Sequence, residues 1–107
     1  MSDEALFNLR DHPLYANAMA VLPTFARHTR GHAIRARACD DGSIELRVRS
    51  DGWRALAYLE PEAEESGWVW VCLAQANGEA PELEVGSLDE MEKLGRLLDK
   101  WCGAAPS

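Results

Sequence analysis

Few residues in this chain have the type and spacing that chemistry requires. His28 and His32 stand four apart, the interval by which two histidines on one helical turn hold zinc. Gly31 falls between them, however, no glutamate follows His28, and no nearby cysteine or acid completes a ligand set. Cys39 comes seven residues after His32, on a stretch that reads as a strand. Cys39, Cys72 and Cys102 are odd in number and widely separated, with no CxxC pair, so neither a zinc ribbon nor a thioredoxin-type site is encoded. Glu60–Gly67 gathers four carboxylates, but on a loop where neither spacing nor proton affinity is under control. A glycine-rich phosphate loop, a nucleophile elbow and a lysine–serine dyad are all missing. The expectation is a non-enzymatic protein with no catalytic residue, no cofactor and no metal.

The 107 residues fit one α+β domain spanning 1–107, with 1–11 and 104–107 expected to be loosely ordered. A chain of this length buries about two-thirds of its unfolded surface, enough for a core without disulfides. Its start, Met-Ser-Asp-Glu, has neither a basic region nor a long apolar run, so no signal peptide is expected. No apolar stretch approaches the ~18 residues of a membrane span. Free thiols fit a cytoplasmic protein. The formal charge of −7 opposes direct nucleic-acid binding, because phosphates would be repelled. That charge is unevenly spread: residues 27–54 hold seven arginines against four acids, and residues 55–107 hold three bases against eleven acids. Two copies could therefore dock with opposite signs facing, and a homodimer is expected.

Around these residues the pattern predicts helix, antiparallel meander, helix. His12-Pro13 marks a helix start, with Asp11 or His12 as the N-cap. Leu14, Tyr15, Ala18, Met19, Leu22, Phe25 and Ala26 recur at helical spacing up to about Thr29, and Gly31 is a natural stop. Pro23 predicts a kink or break at Leu22. Strands follow at His32–Cys39, Ser43–Arg49 and Trp53–Leu59, joined by two glycine turns of one kind, Asp40-Asp41-Gly42 and Ser50-Asp51-Gly52. Beyond the acidic loop comes the most apolar run, Trp68–Ala74. Leu83 and Val85 suggest a short last strand. Ser87 and Glu90 fit a capping box before a stripe of Leu88, Met91, Leu94, Leu97, Leu98 and Trp101.

If both helices cover one face of the meander, the other face is left open. Arg35, Arg37, Arg47 and Arg49 then line it, together with either Trp68 and Trp70 or Val69 and Val71. The first helix carries no charge from residue 12 to 26, which suits a core helix or one that docks on a partner. The candidate contacts are Tyr15, Met19, Leu22 and Phe25, then Trp68 and Trp70, since buried apolar and aromatic anchors dominate interface energies.

The element order and the Trp70–Ala74 run resemble the frataxins. Those carry an acid-rich, iron-binding first helix, whereas residues 12–26 here contain no Asp or Glu. Size, acidity and apolar helices also resemble type III secretion chaperones, which dimerise and hold effector segments. In size, composition and helix–sheet–helix organisation the chain is similar to small bacterial anti-activators, including those that disable quorum-sensing transcription factors. That resemblance implies a regulator that binds a protein partner, a transcription factor, and blocks its dimerisation or DNA binding. The alternative is a secretion-type chaperone or immunity protein that binds an effector or toxin.

Overall fold

The computed structural model describes Leu6 and residues 8–29 and 32–103. Ala5, Phe7, the helix stop at Gly31 and the tail at 104–107 lie outside the described residues. The architecture is α+β: one antiparallel sheet of five strands in sequence order, with an N-terminal and a C-terminal helix. The strands are β1 (Arg35–Ala38), β2 (Ile44–Arg49), β3 (Trp53–Leu59), β4 (Trp70–Ala76) and β5 (Glu82–Gly86). The helices are α1 (Tyr15–His28), a single turn α2 (Ala63–Ser66) inside the acidic loop, and α3 (Met91–Leu98).

Helix α1 begins at Tyr15 with Leu14, not Asp11 or His12, at the N-cap position and no side chain capping it; His12 Nδ1 accepts only the N–H of Leu14 itself, at 3.0 Å. The helix runs unbroken through Pro23, where the sequence predicts a kink or break. Pro23 is exposed, so its missing N–H leaves no buried carbonyl facing the core. The opposite side of the helix buries Ala18, Val21, Leu22 and Phe25. Thr29 closes the helix, its buried hydroxyl donating to the Phe25 carbonyl at 2.8 Å. Ahead of α1, Leu6 is fully buried and Leu9 packs against the core, so this part of the N-terminal segment is docked.

The core lies between the helices and one face of the sheet. Ile44, Leu46 and Val48 from β2, Ala55, Ala57 and Leu59 from β3, and Trp70, Cys72 and Ala74 from β4 meet Leu94, Leu97 and Leu98 of α3 and the buried side of α1. Trp70 is its largest member. Its indole N–H donates to the Ser87 carbonyl at 2.9 Å. Its ring lies flush on Gly86, where an added methyl would fall 2.5 Å from Cζ2. Ser87 and Glu90 form the expected capping box around a 3-10 turn, Leu88–Glu90, that leads into α3: Ser87 N–H donates to Glu90 Oε1 at 3.0 Å. At the other end, His28 Nδ1 lies 2.8 Å from Asp99 Oδ1, tying the last turn of α1 to the end of α3.

The two β-turns differ. Gly42 adopts a φ of 93°, and Asp41 Oδ1 accepts from the Ser43 N–H and hydroxyl at 3.0 and 2.6 Å. The second turn closes through Ser50 N–H to the Trp53 carbonyl at 2.8 Å, and Gly52 is not in the left-handed region. The expectation of two turns of one kind is corrected there. β1 is also shorter than His32–Cys39, because the helices do not reach it: Ala36 is only half-buried and Ala38 is exposed.

Candidate functional site

The helix-free face of the sheet is the surface on which side chains converge without a covering layer. Antiparallel register arranges them in cross-strand rows. Arg35, Arg47, Leu56, Leu73 and Leu83 form the central row from β1 to β5. Arg37, Glu45, Tyr58, Val71 and Val85 form the next. Arg49, Arg54 and Gln75 form a third, over β2 to β4. The face is thus divided: arginines over β1, β2 and the near end of β3, and an apolar surface over β3 to β5. Leu83 is 57% exposed, the most exposed large hydrophobic residue described. Leu56, Leu73, Val71 and Val85 are half-buried.

The charge on this face opposes that of the molecule. It holds five arginines against one carboxylate, while the rest of the chain has six bases against 17 acids. The single carboxylate, Glu45, is only 6% exposed and already engaged. Arg37 Nε donates to its Oε1 at 2.8 Å and Tyr58 Oη to its Oε2 at 3.1 Å. Burial pushes the Glu45 carboxyl up, but these two hydrogen bonds and the charges of Arg37 and Arg47 outweigh it and hold the carboxyl below its usual range. The same contacts, with burial first, push the Tyr58 phenol up.

Of the five arginines Arg37 alone is ion-paired to this carboxylate, and Arg47 acts on it only through its charge. Arg35 sits directly opposite Arg47, and Arg49 opposite Arg54. Among the described residues no acid forms an ion pair with any of these four; Arg54 Nε instead donates to Gln75 Oε1 at 2.9 Å. Like charges facing across a ladder are destabilising, so two such pairs side by side work against the isolated fold. Two recesses flank Arg49. One, of about 530 Å³, is lined by His32, Arg35, Arg47 and Arg49; the other, of about 510 Å³, by Arg49, Asp51, Trp53, Arg54 and Gln75, with Asp51 not ion-paired to either arginine.

The contacts expected from sequence fall in several places. Leu22, Phe25 and Trp70 are enclosed in the core, at 0–1% exposure, and present no surface to a partner. Tyr15 and Met19 are half-buried against the core on α1, across the molecule from the open face. Trp68 is half-buried ahead of β4, and its indole N–H is enclosed without an acceptor among the described residues. These six do not form one patch. Of the two alternatives for the open face, Val71 lies on it and Trp70 does not.

Leu56, Tyr58, Leu83, Val85 and Arg54 lie on this face without having been placed there from sequence, whereas Leu73 follows Val71 by strand alternation. The signal for Leu56 and Arg54 was present, because the short β2–β3 turn sets Arg49 opposite Arg54 and so sends Ala55 and Ala57 to the helix side. The histidines share no site. His28 faces Asp99, while His32 packs edge-on against Trp53 with ring centroids 5.1 Å apart. Among the described residues no three His, Cys, Asp or Glu side chains are grouped to hold a metal ion. Burial pushes the Cys72 and Cys102 thiols up, Cys102 to about 12, so both are neutral at physiological pH. No described helix is long and apolar enough to cross a membrane.

Comparison with protein-family models, with curated proteins and with solved structures finds no match to this chain.

Proposed function

We propose that this chain is a non-enzymatic regulatory protein that binds one protein partner through the open sheet face. By occupying that partner's own contact surface it blocks the partner's assembly. The partner we favour is a transcriptional regulator, prevented from dimerising or from reaching DNA, and the place of action is the cytoplasm. One observation carries the reading: a helix-free sheet face that is half arginine and half leucine and valine, with Leu83 at 57% exposure. An apolar patch rimmed by polar residues marks an interaction site, and arginine is among the residues enriched at interfaces.

The test is purification of the tagged protein from its host, followed by reconstitution with whatever co-elutes at near-equal stoichiometry. Adding the purified chain should shift the partner from dimer to a mixed complex in sedimentation, and should remove it from its DNA in a mobility assay. A partner whose dimerisation and DNA binding are both untouched by saturating amounts of this chain would refute the blocking mechanism.

A further inference from the structure

From the same face, and resting on the reading just given, we infer the partner's chemistry: the occupant is an amphipathic helix with an acidic flank, lying along the strands over β3 to β5. Three strands at about 4.8 Å spacing make an apolar surface about 10 Å across, the diameter of one α-helix. Leu56, Leu73 and Leu83 form one of its two rows and Tyr58, Val71 and Val85 the other, about 6.8 Å further along the strands, so it seats about two turns of the helix. A second β-sheet would need a wider apolar surface than three strands provide. A single helix fills this one and leaves its flank above β2.

The charge pattern then fixes what that flank carries. Arg47 and Arg49 are two residues apart on β2, so their bases are separated by about 6.8 Å. Side chains at i and i+4 of a helix rise by about 6 Å, so two carboxylates at that spacing meet the two arginines in register. Glu45 is already satisfied by Arg37 and Tyr58, which leaves Arg35, Arg47, Arg49 and Arg54 to receive the incoming acids. The recess between Arg35, Arg47, Arg49 and His32 gives the flank's side chains room to reach between the guanidinium groups. Docking relieves both arginine–arginine repulsions, and this charge complementarity selects the acidic helix over a neutral or basic one.

The test uses the full chain as bait against a displayed library of helical peptides with a fixed leucine stripe and randomised flanks. The selected peptides are then measured by fluorescence anisotropy. Enriched sequences should carry Asp or Glu at i and i+4 on one flank. Their affinity should fall at least tenfold for the Arg47→Glu/Arg49→Glu double variant and fall again with added salt. Leu83→Asp, on an exposed position, should abolish binding with the circular dichroism spectrum unchanged; Leu73→Asp is the second variant. Enrichment of neutral or basic flanks, or equal binding by the double variant, overturns the acidic-helix inference, while sensitivity to Leu83→Asp would still keep the face as the docking surface. Peptides indifferent to both aspartate substitutions would refute the face itself. A library yielding no binder overturns the inference, and a concentration-dependent dimer lost in Leu83→Asp would assign the face to a second copy of the chain.

Discussion

Arg49 and Arg54 face each other across β2 and β3 with both side chains in solvent, and among the described residues neither is ion-paired to an acid. Arg49→Glu converts this repulsion into an attraction. Cross-strand charge pairs are worth roughly 0.2–1 kcal/mol in either direction, and solvent screening of an exposed pair brings the whole swing to about 0.5–1 kcal/mol in favour of the variant. For a domain of about 100 residues that raises the melting temperature by roughly 2–4 °C. The assay is thermal unfolding by circular dichroism at low salt and at about 1 M salt, where a Debye length of about 3 Å removes most of the gain. Arg49→Gln, which removes the repulsion without adding attraction, should give about half the rise. The same Arg49→Glu protein should bind its partner more weakly, a gain in stability matched by a loss of function. An unchanged or lower melting temperature at low salt would show that the two guanidinium groups do not repel in the free protein, and the argument from unrelieved charge would fail.

Other substitutions probe the fold that presents this face. Gly86→Ala places a methyl 2.5 Å from a Trp70 ring held by its hydrogen bond to Ser87, and should cost about 1–3 kcal/mol in chemical denaturation. Phe25→Asp introduces a carboxylate at a fully buried position and should leave the chain unfolded by circular dichroism, whereas Met19→Asp, at a half-buried position, should stay folded. Glu45→Gln should cost about 1 kcal/mol at neutral pH. Because the folded-state carboxyl is held below its usual range, its contribution is present above the unfolded pKa and lost as pH falls through the folded value. The variant's deficit should therefore persist at neutral pH and shrink only as the pH is lowered through and below the usual carboxylate range, as read from denaturation midpoints.

Much of the fold was legible because its signals are local. The alternation of β2, Gly42 with its positive φ, and the Ser87–Glu90 box each depend on a few neighbouring residues and formed as expected. Which face β4 would present was not legible. The connection from Leu59 to Trp70 is long and contains its own helical turn, so it transmits no register from β3, and a shift of one residue exchanges Trp70 for Val71. Helix α1 posed the same difficulty: an uncharged helix can be core or interface, and only the packing of Leu22 and Phe25 beneath α3 and the sheet assigns it to the core. The candidate face was readable on its basic side, where β1 and β2 are joined by a tight turn. Its apolar side depends on long-range pairing of β3, β4 and β5, which no short window contains.

In the proposed complex the partner covers the open sheet face. Hydroxyl-radical footprinting of the chain alone and in its purified complex tests it directly, because the two candidate surfaces carry different oxidisable side chains. Leu56, Leu73, Leu83 and Tyr58 should lose reactivity in the complex while Tyr15 and Met19 keep theirs. Protection of Tyr15 and Met19 with an unchanged Leu73 and Leu83 would contradict that placement and move the interface to α1.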